Sequence, residues 1–244
     1  MKLVFFLLLI TSFNSKQSPL TAQQIINKTI YLSGANKVAN SKITFKFRDK
    51  NYNATRKNGD YILNRIFKID DSIIKDVVSN KGFTRFVGSS LHPVIDTMAL
   101  KYSRSVNSVH YFSVLPFGLN DRAVQKKLLP SSTIKGKEYH KIEISFSEDG
   151  GGEDFEDTFI YWIGKDDFLI DYLAYSYLTD GGGKRFRAIK KESFKKGIRF
   201  VDYYNYKPLS KEIPLINLDK YFEKKDLKKI SEIIFKDIKV NILN

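Results

Sequence analysis

The spacing of hydrophobic residues changes along the chain, and the change divides it. Thr21-Ala-Gln-Gln24 has the form of a capping box, in which a threonine hydroxyl and a glutamine side chain satisfy each other's orphan backbone donors. Ile25, Ile26, Ile30 and Leu32 follow at helical spacing, and Gly34 is a natural stop. From Ile43 the period drops to two. ITFKFRD, YNATRK, YILNRIFKI, SIIKDVVS and FTRFVG read as strands. The turn signals between them are Asp49-Lys-Asn51, Asn58-Gly59-Asp60, Asp70-Asp71 and Asn80-Lys-Gly82. Connections this short join antiparallel neighbours, because a parallel crossover needs about a dozen residues.

Between His92 and Leu129 alternation stops. Val94, Met98, Tyr102, Val106, Val109, Phe112 and Val114 sit at helical spacing. A Leu115-Pro-Phe-Gly break comes next, then a second helical stretch around Asp121 to Leu129. The pattern predicts a helical insertion at about 93–129 whose first part, Val94 to Phe117, could serve as a lid hinged at that break. Strands resume at Ser132 and run almost to the end: KEYHKIEISF, EDTFIYWI, FLIDYLAYSYL, KRFRAIKK, IRFVDYYNYK and SEIIFKDIKVNI. The fold class is therefore α+β and mainly antiparallel β, in a single domain over 19–244.

Composition narrows the chemistry. The chain has 244 residues and no cysteine, which removes disulfides, thiolate nucleophiles, Cys-ligated zinc and iron–sulfur clusters. His92, His110 and His140 are too far apart for a metal motif, so neither a metal site nor a cofactor is expected. Lys2 followed by the apolar run Leu3 to Ile10 has the form of an export signal over residues 1–18, and Ser15 is the best small residue before a cut. Eight apolar residues are too few to span a bilayer, which takes roughly 20. A net charge of +14 suggests attraction to an anionic membrane surface; with export expected, nucleic acid is not the expected partner.

Two Asp-Gly-Gly-Gly runs, Asp149 to Gly152 and Asp180 to Gly183, raise the question of a bound phosphate or metal. Neither has the spacing of a phosphate loop, and each leads into strand-like sequence. Asp149, Glu153, Asp154, Glu156 and Asp157 supply charge without the alternate spacing of a calcium loop. Glycine-rich hairpin tips fit best. One tip is acidic and the other basic, so Arg185 or Arg187 is expected to pair with Asp154, Glu156 or Asp157 at a rim of the sheet.

Aromatic residues crowd the strands around these tips. Alternation places Tyr175 and Tyr177 on one face with Leu173, and Tyr204 and Tyr206 on one face with Phe200. Strands with aromatics on both faces are covered on both, or covered on one and lining a cavity on the other. The candidate ligand contacts are Tyr175, Tyr177, Trp162, Tyr204, Phe112 and His140.

The stretches LTAQQIINKTI, SVNSVHYFSVLPFGLND, IKGKEYHKIEISF, GGGEDFEDTFIYWI, DYLAYSYLTDGGGKRFR and GIRFVDYYNYKP cover most of Leu20 to Pro208. They resemble an uncharacterised family of exported Bacteroidetes proteins, the domain of unknown function numbered 6503. The order of elements also resembles the LolA/LolB-like lipoprotein-carrier fold. That resemblance implies a curved, half-open antiparallel sheet wrapped around helices and enclosing an apolar cavity. It also implies a monomeric, non-catalytic binder of a lipid-like ligand, in the periplasm or at the periplasmic face of the outer membrane. Many relatives look like lipoproteins with a lipobox cysteine, whereas this chain has Asn14-Ser15-Lys16 there.

Two other classes stay open. A hydrolase or lyase could use the acidic loop with His140, Arg185 or Arg187, although no GxSxG motif or triad frame is present. A deoxyribose-phosphate aldolase, a label attached to the family, requires a (β/α)8 barrel and a desolvated lysine, and βα alternation is missing. A structural envelope protein would instead pair its sheet edges with partners.

Overall fold

The computed structural model describes residues 18–149, 155–178 and 181–243. The expected export segment and part of each glycine loop lie outside them. Helix α1 (Ala22–Leu32) carries the expected capping box: Gln24 N donates to Thr21 Oγ1 at 3.2 Å, and Thr21 N donates to Gln24 Oε1 at 2.9 Å. Ala22, Ile25, Ile26 and Thr29 face inward. Leu32, expected on the same stripe, is instead exposed beside Tyr31, and Ser33 takes the inward position with its hydroxyl donating to the Thr29 carbonyl.

A meander follows: β1 (Ser41–Phe47), β2 (Lys50–Lys57), β3 (Asp60–Ile69), β4 (Ser72–Ser79), β5 (Gly82–Val87) and β6 (Ser90–His92). The four turn signals read from the sequence all sit at its hairpins. Asn58 and Gly59, for example, take φ values of 52° and 88° between β2 and β3, as a tight hairpin turn of matching twist requires. Helix α2 (Asp96–Ser113) then crosses to the second meander: β7 (Val124–Ile134), β8 (Lys137–Phe146), β9 (Thr158–Gly164), β10 (Ile170–Tyr177), β11 (Gly183–Lys195) and β12 (Ile198–Pro208). Short helix α3 (Leu218–Glu223) precedes β13 (Leu227–Ile233) and β14 (Phe235–Ile242).

The second helical stretch of the insertion does not form. Of the residues expected to be helical at 121–129, those from Val124 on enter β7, which pairs with β8 from Val124↔Phe146 to Ile134↔Lys137. Its apolar residues are too sparse to hold a helix against a core, and the free edge of β8 offers backbone partners instead.

The described strands form two seven-stranded antiparallel sheets, ordered β14-β1-β2-β3-β4-β5-β6 and β13-β12-β11-β10-β9-β8-β7. One residue separates β13 from β14, so the edges of the two sheets are continuous there and the whole is a curved, unclosed half-barrel. The opposite edges, β6 and β7, are linked by α2. The principal core joins both concave faces to α1 and to the segment after α2, with Ile25, Ile43, Phe45, Leu119, Tyr161 and Leu173 in its centre. A second cluster on the convex face of the second sheet packs Trp162, Tyr172 and Phe186 under Leu218 and Phe222 of α3. The second sheet is therefore covered on both faces, which explains its aromatics on both.

Candidate functional site

The site is built where the end of α2 meets the concave face of the second sheet. On β9, Phe159 and Tyr161 point inward while Ile160 and Trp162 point outward, as strand alternation requires. On β10, Tyr175 lies beside Phe159 across the ladder, and their rings stack with centroids 5.6 Å apart. Phe112 drops from α2 onto this pair, 5.2 Å from Tyr175 and 6.1 Å from Phe159. Tyr111 adds an edge contact to Phe159 at 6.0 Å, and its hydroxyl lies 3.1 Å from that of Tyr161. Burial pushes the Tyr111 phenol up to about 12 and raises Tyr161 as well, so both hydroxyls stay protonated at neutral pH. Each aromatic pair contributes about 0.5–1.5 kcal/mol beyond area burial.

Arg187 enters this nest from β11. It is 7% exposed; its guanidinium stands 3.8 Å from the centre of the Phe112 ring, and Nη2 donates to the Tyr175 hydroxyl at 3.1 Å. Its Nε is buried without a hydrogen-bond partner among the described residues. On the first sheet Arg56 repeats the arrangement. It is 8% exposed and lies 5.3 Å from the Phe117 ring, and its Nη1 has no hydrogen-bond partner among the described residues. Burial pulls the Arg56 guanidinium down to about 10, still charged at neutral pH. A desolvated cation–π contact contributes about 2 kcal/mol. Taking an ion out of water costs several, so neither arginine is placed there by stability alone.

His110, one turn beyond Val106 on α2, is also buried and donates from Nε2 to the Asn64 carbonyl at 3.1 Å.

The sequence-derived candidates separate. Phe112, Tyr175 and Tyr177 come together, with the Tyr175 and Tyr177 rings 6.1 Å apart. Trp162 does not join them. It is fully buried on the convex face, where Nε1 donates to Ser132 Oγ at 3.0 Å and Asp219 Oδ2 at 3.2 Å. Tyr204 pairs across from Ala188, a convex-face residue, and carries Lys229 at 4.3 Å above its ring. Phe200 belongs to the concave core while Tyr206 packs on Phe222, so the face expected to hold all three is split. His140 stacks on Phe168 at 5.7 Å, towards the other end of the sheet. Beside that pair lies a surface concavity of about 510 Å³ lined by Lys28, Tyr31 and Leu32.

The two glycine loops connect antiparallel neighbours, β8 to β9 and β10 to β11, and the strand ends that carry them are adjacent through Thr158↔Ser176. Asp154 lies outside the described residues; Glu156 is exposed and Asp157 half-buried at the same end. Arg185 donates to the Lys184 carbonyl at 2.9 Å and lies over Tyr177. Arg187, expected at the rim, lies inside against Phe112. Arg56 is absent from the sequence-derived candidates, although Tyr52, Ala54 and Arg56 alternate onto one buried face.

A family model matches residues 2–234, nearly the whole chain. The chain belongs to the family of unknown function DUF6503. No curated protein sequence matches it. Among solved structures, this DUF6503 member is similar to a LolA superfamily protein from Nitrosomonas europaea. Identity is 12% and the TM-score 0.52, over 93% of this chain and 96% of that one. It is also similar to a DUF1329 family protein from Desulfovibrio piger, at 10% identity and TM-score 0.45, over 91% and 94% of the two chains. The first likeness shows that the DUF6503 chain has the LolA-like fold. No described helix is long and apolar enough to cross a membrane.

Proposed function

We propose that this protein is an exported, non-catalytic envelope carrier. It holds an apolar, lipid-like ligand between the concave face of its second sheet and the end of α2. The observation that carries this reading is the nest of Phe112, Phe159 and Tyr175, whose upper wall is supplied by the last turn of α2. The buried residues of α2, Val106, His110 and Ser113, all lie in its second half, while Ile95 just before its first turn is 71% exposed. A ligand chain that displaces Phe112 lies against the rings of Phe159 and Tyr175, and burial then stabilises the complex by about 25 cal/mol per Å² of apolar area. The net charge of +14 supports delivery at an anionic membrane surface. The protein acts as a monomer in the periplasm or on the periplasmic face of the outer membrane.

The test is native mass spectrometry of protein expressed in a periplasm and purified without detergent, followed by solvent extraction. A discrete adduct that extracts as lipid is the expected result. A clean apo mass, with no uptake of a fluorescent fatty acid, rejects the reading.

A further inference from the structure

The protein treats its buried arginines in two ways. Arg65 meets Asp76 at 2.6 Å, and Arg199 meets Asp171 at 3.1 Å, so each buried guanidinium has a carboxylate. Arg56 and Arg187 are buried to a similar degree, yet Arg56 meets the ring of Phe117, and Arg187 meets the rings of Phe112 and Tyr175 and the Tyr175 hydroxyl. Among the described residues each keeps a buried N–H without an acceptor, Nη1 on Arg56 and Nε on Arg187. They approach from different sheets, β2 and β11, and both are capped by the same short segment, because Phe112 and Phe117 are five residues apart. A movement that withdraws this segment uncovers both cations together.

We propose that Arg56 and Arg187 are an anion-recognition pair that makes the site selective for amphiphiles with an acidic headgroup, a carboxylate or a phosphate. The inference rests on the carrier reading and adds the class of ligand. A guanidinium presents a fixed fork of donors that matches both groups. The aromatic nest takes the chain while the freed N–H groups take the head. Burial disfavours the charged form of Arg56, so an anion entering beside it offsets that cost. Neighbouring His110 is neutral, so it neither neutralises Arg56 nor adds a second charge beside it.

Affinities for oleate, oleoyl lysophosphatidate and neutral monoolein, measured by displacement of a fluorescent fatty acid, test this. Inorganic phosphate alone is the chain-free control. The expected result is about tenfold tighter binding of both acidic probes than of monoolein. The ratio should fall to near one in the Arg56→Met/Arg187→Met double variant. The single Lys variants, which keep charge and lose the fork, are expected to retain an intermediate ratio, and they carry the test if the double variant does not fold. Equal binding of all three lipids by the wild type overturns the inference and leaves the carrier reading standing. Binding of phosphate with no preference among the lipids overturns it by making the pair a free-anion site. Failure of every lipid to bind removes the carrier reading and the inference with it.

Discussion

Trp162 donates its indole N–H to Asp219 at 3.2 Å, and the same carboxylate receives Lys141 Nζ at 3.1 Å. Lys141 also donates to the Ile216 carbonyl, so one buried lysine and one tryptophan hold the α3 segment over the convex face. This bond assigns Trp162 to structure. Asp219→Ala should leave Lys141 buried without its counter-charge and cost about 3–5 kcal/mol, read as a lowered denaturant midpoint. Lipid uptake by the folded fraction should not change, because α3 and the aromatic nest lie on opposite faces of the sheet.

Gly34 brings its backbone directly against that of Gly197. A Cβ on Gly34 would stand 1.8 Å from the Gly197 carbonyl oxygen, and Gly34 also holds a φ of +69°. Backbone cannot yield there as a side chain could. Gly34→Ala should therefore destabilise by more than the roughly 1–2 kcal/mol of a left-handed alanine alone. Thermal unfolding of the variant measures it.

His110 makes stability depend on pH. Burial, with a smaller contribution from the Arg56 charge, pulls its imidazole down from 6.5 to about 3. Between those values the unfolded chain binds a proton that the folded chain refuses. The contribution of neutral His110 is thus fully present above about pH 6.5 and is lost as pH falls towards 3. The slope is up to about 1.4 kcal/mol per unit. His110→Gln should flatten the pH dependence of urea unfolding between about pH 6.5 and 4; an unchanged slope would assign the acid sensitivity elsewhere.

Val106 is the apolar anchor of α2 on the first sheet, packed against Ala54, Leu63 and Val78. Val106→Ala should cost about 1–2.5 kcal/mol and speed uptake of a fluorescent fatty acid by stopped flow. Slower uptake would argue against α2 as the element that opens.

Much of the fold can be read from the chain because its signals are local. The box at Thr21 to Gln24 and the Asn58-Gly59 turn depend on neighbours in sequence, and both are present. The start of β7 has the spacing of a helix in sequence, because its identity as a strand comes from pairing with β8. The site divides the same way. Alternation identifies Tyr175 and Tyr177 as sharing a face, but it cannot say which face of β9 meets α2 and which meets α3. Trp162 and Phe159 are therefore indistinguishable until the sheet is covered. Arg187 carries the charge of a rim residue, and only the position of Phe112 shows that it lies inside.

The location of the ligand is the central claim, and bromolipid quenching tests it directly. Trp162 is the single native tryptophan and lies outside the nest, on the convex face. Phe112→Trp places a second indole at the proposed contact. Titration with dibromostearate should quench the added emission of this variant strongly and leave wild-type emission nearly unchanged. Equal quenching of the two proteins, or none in either, would contradict binding between α2 and the concave sheet.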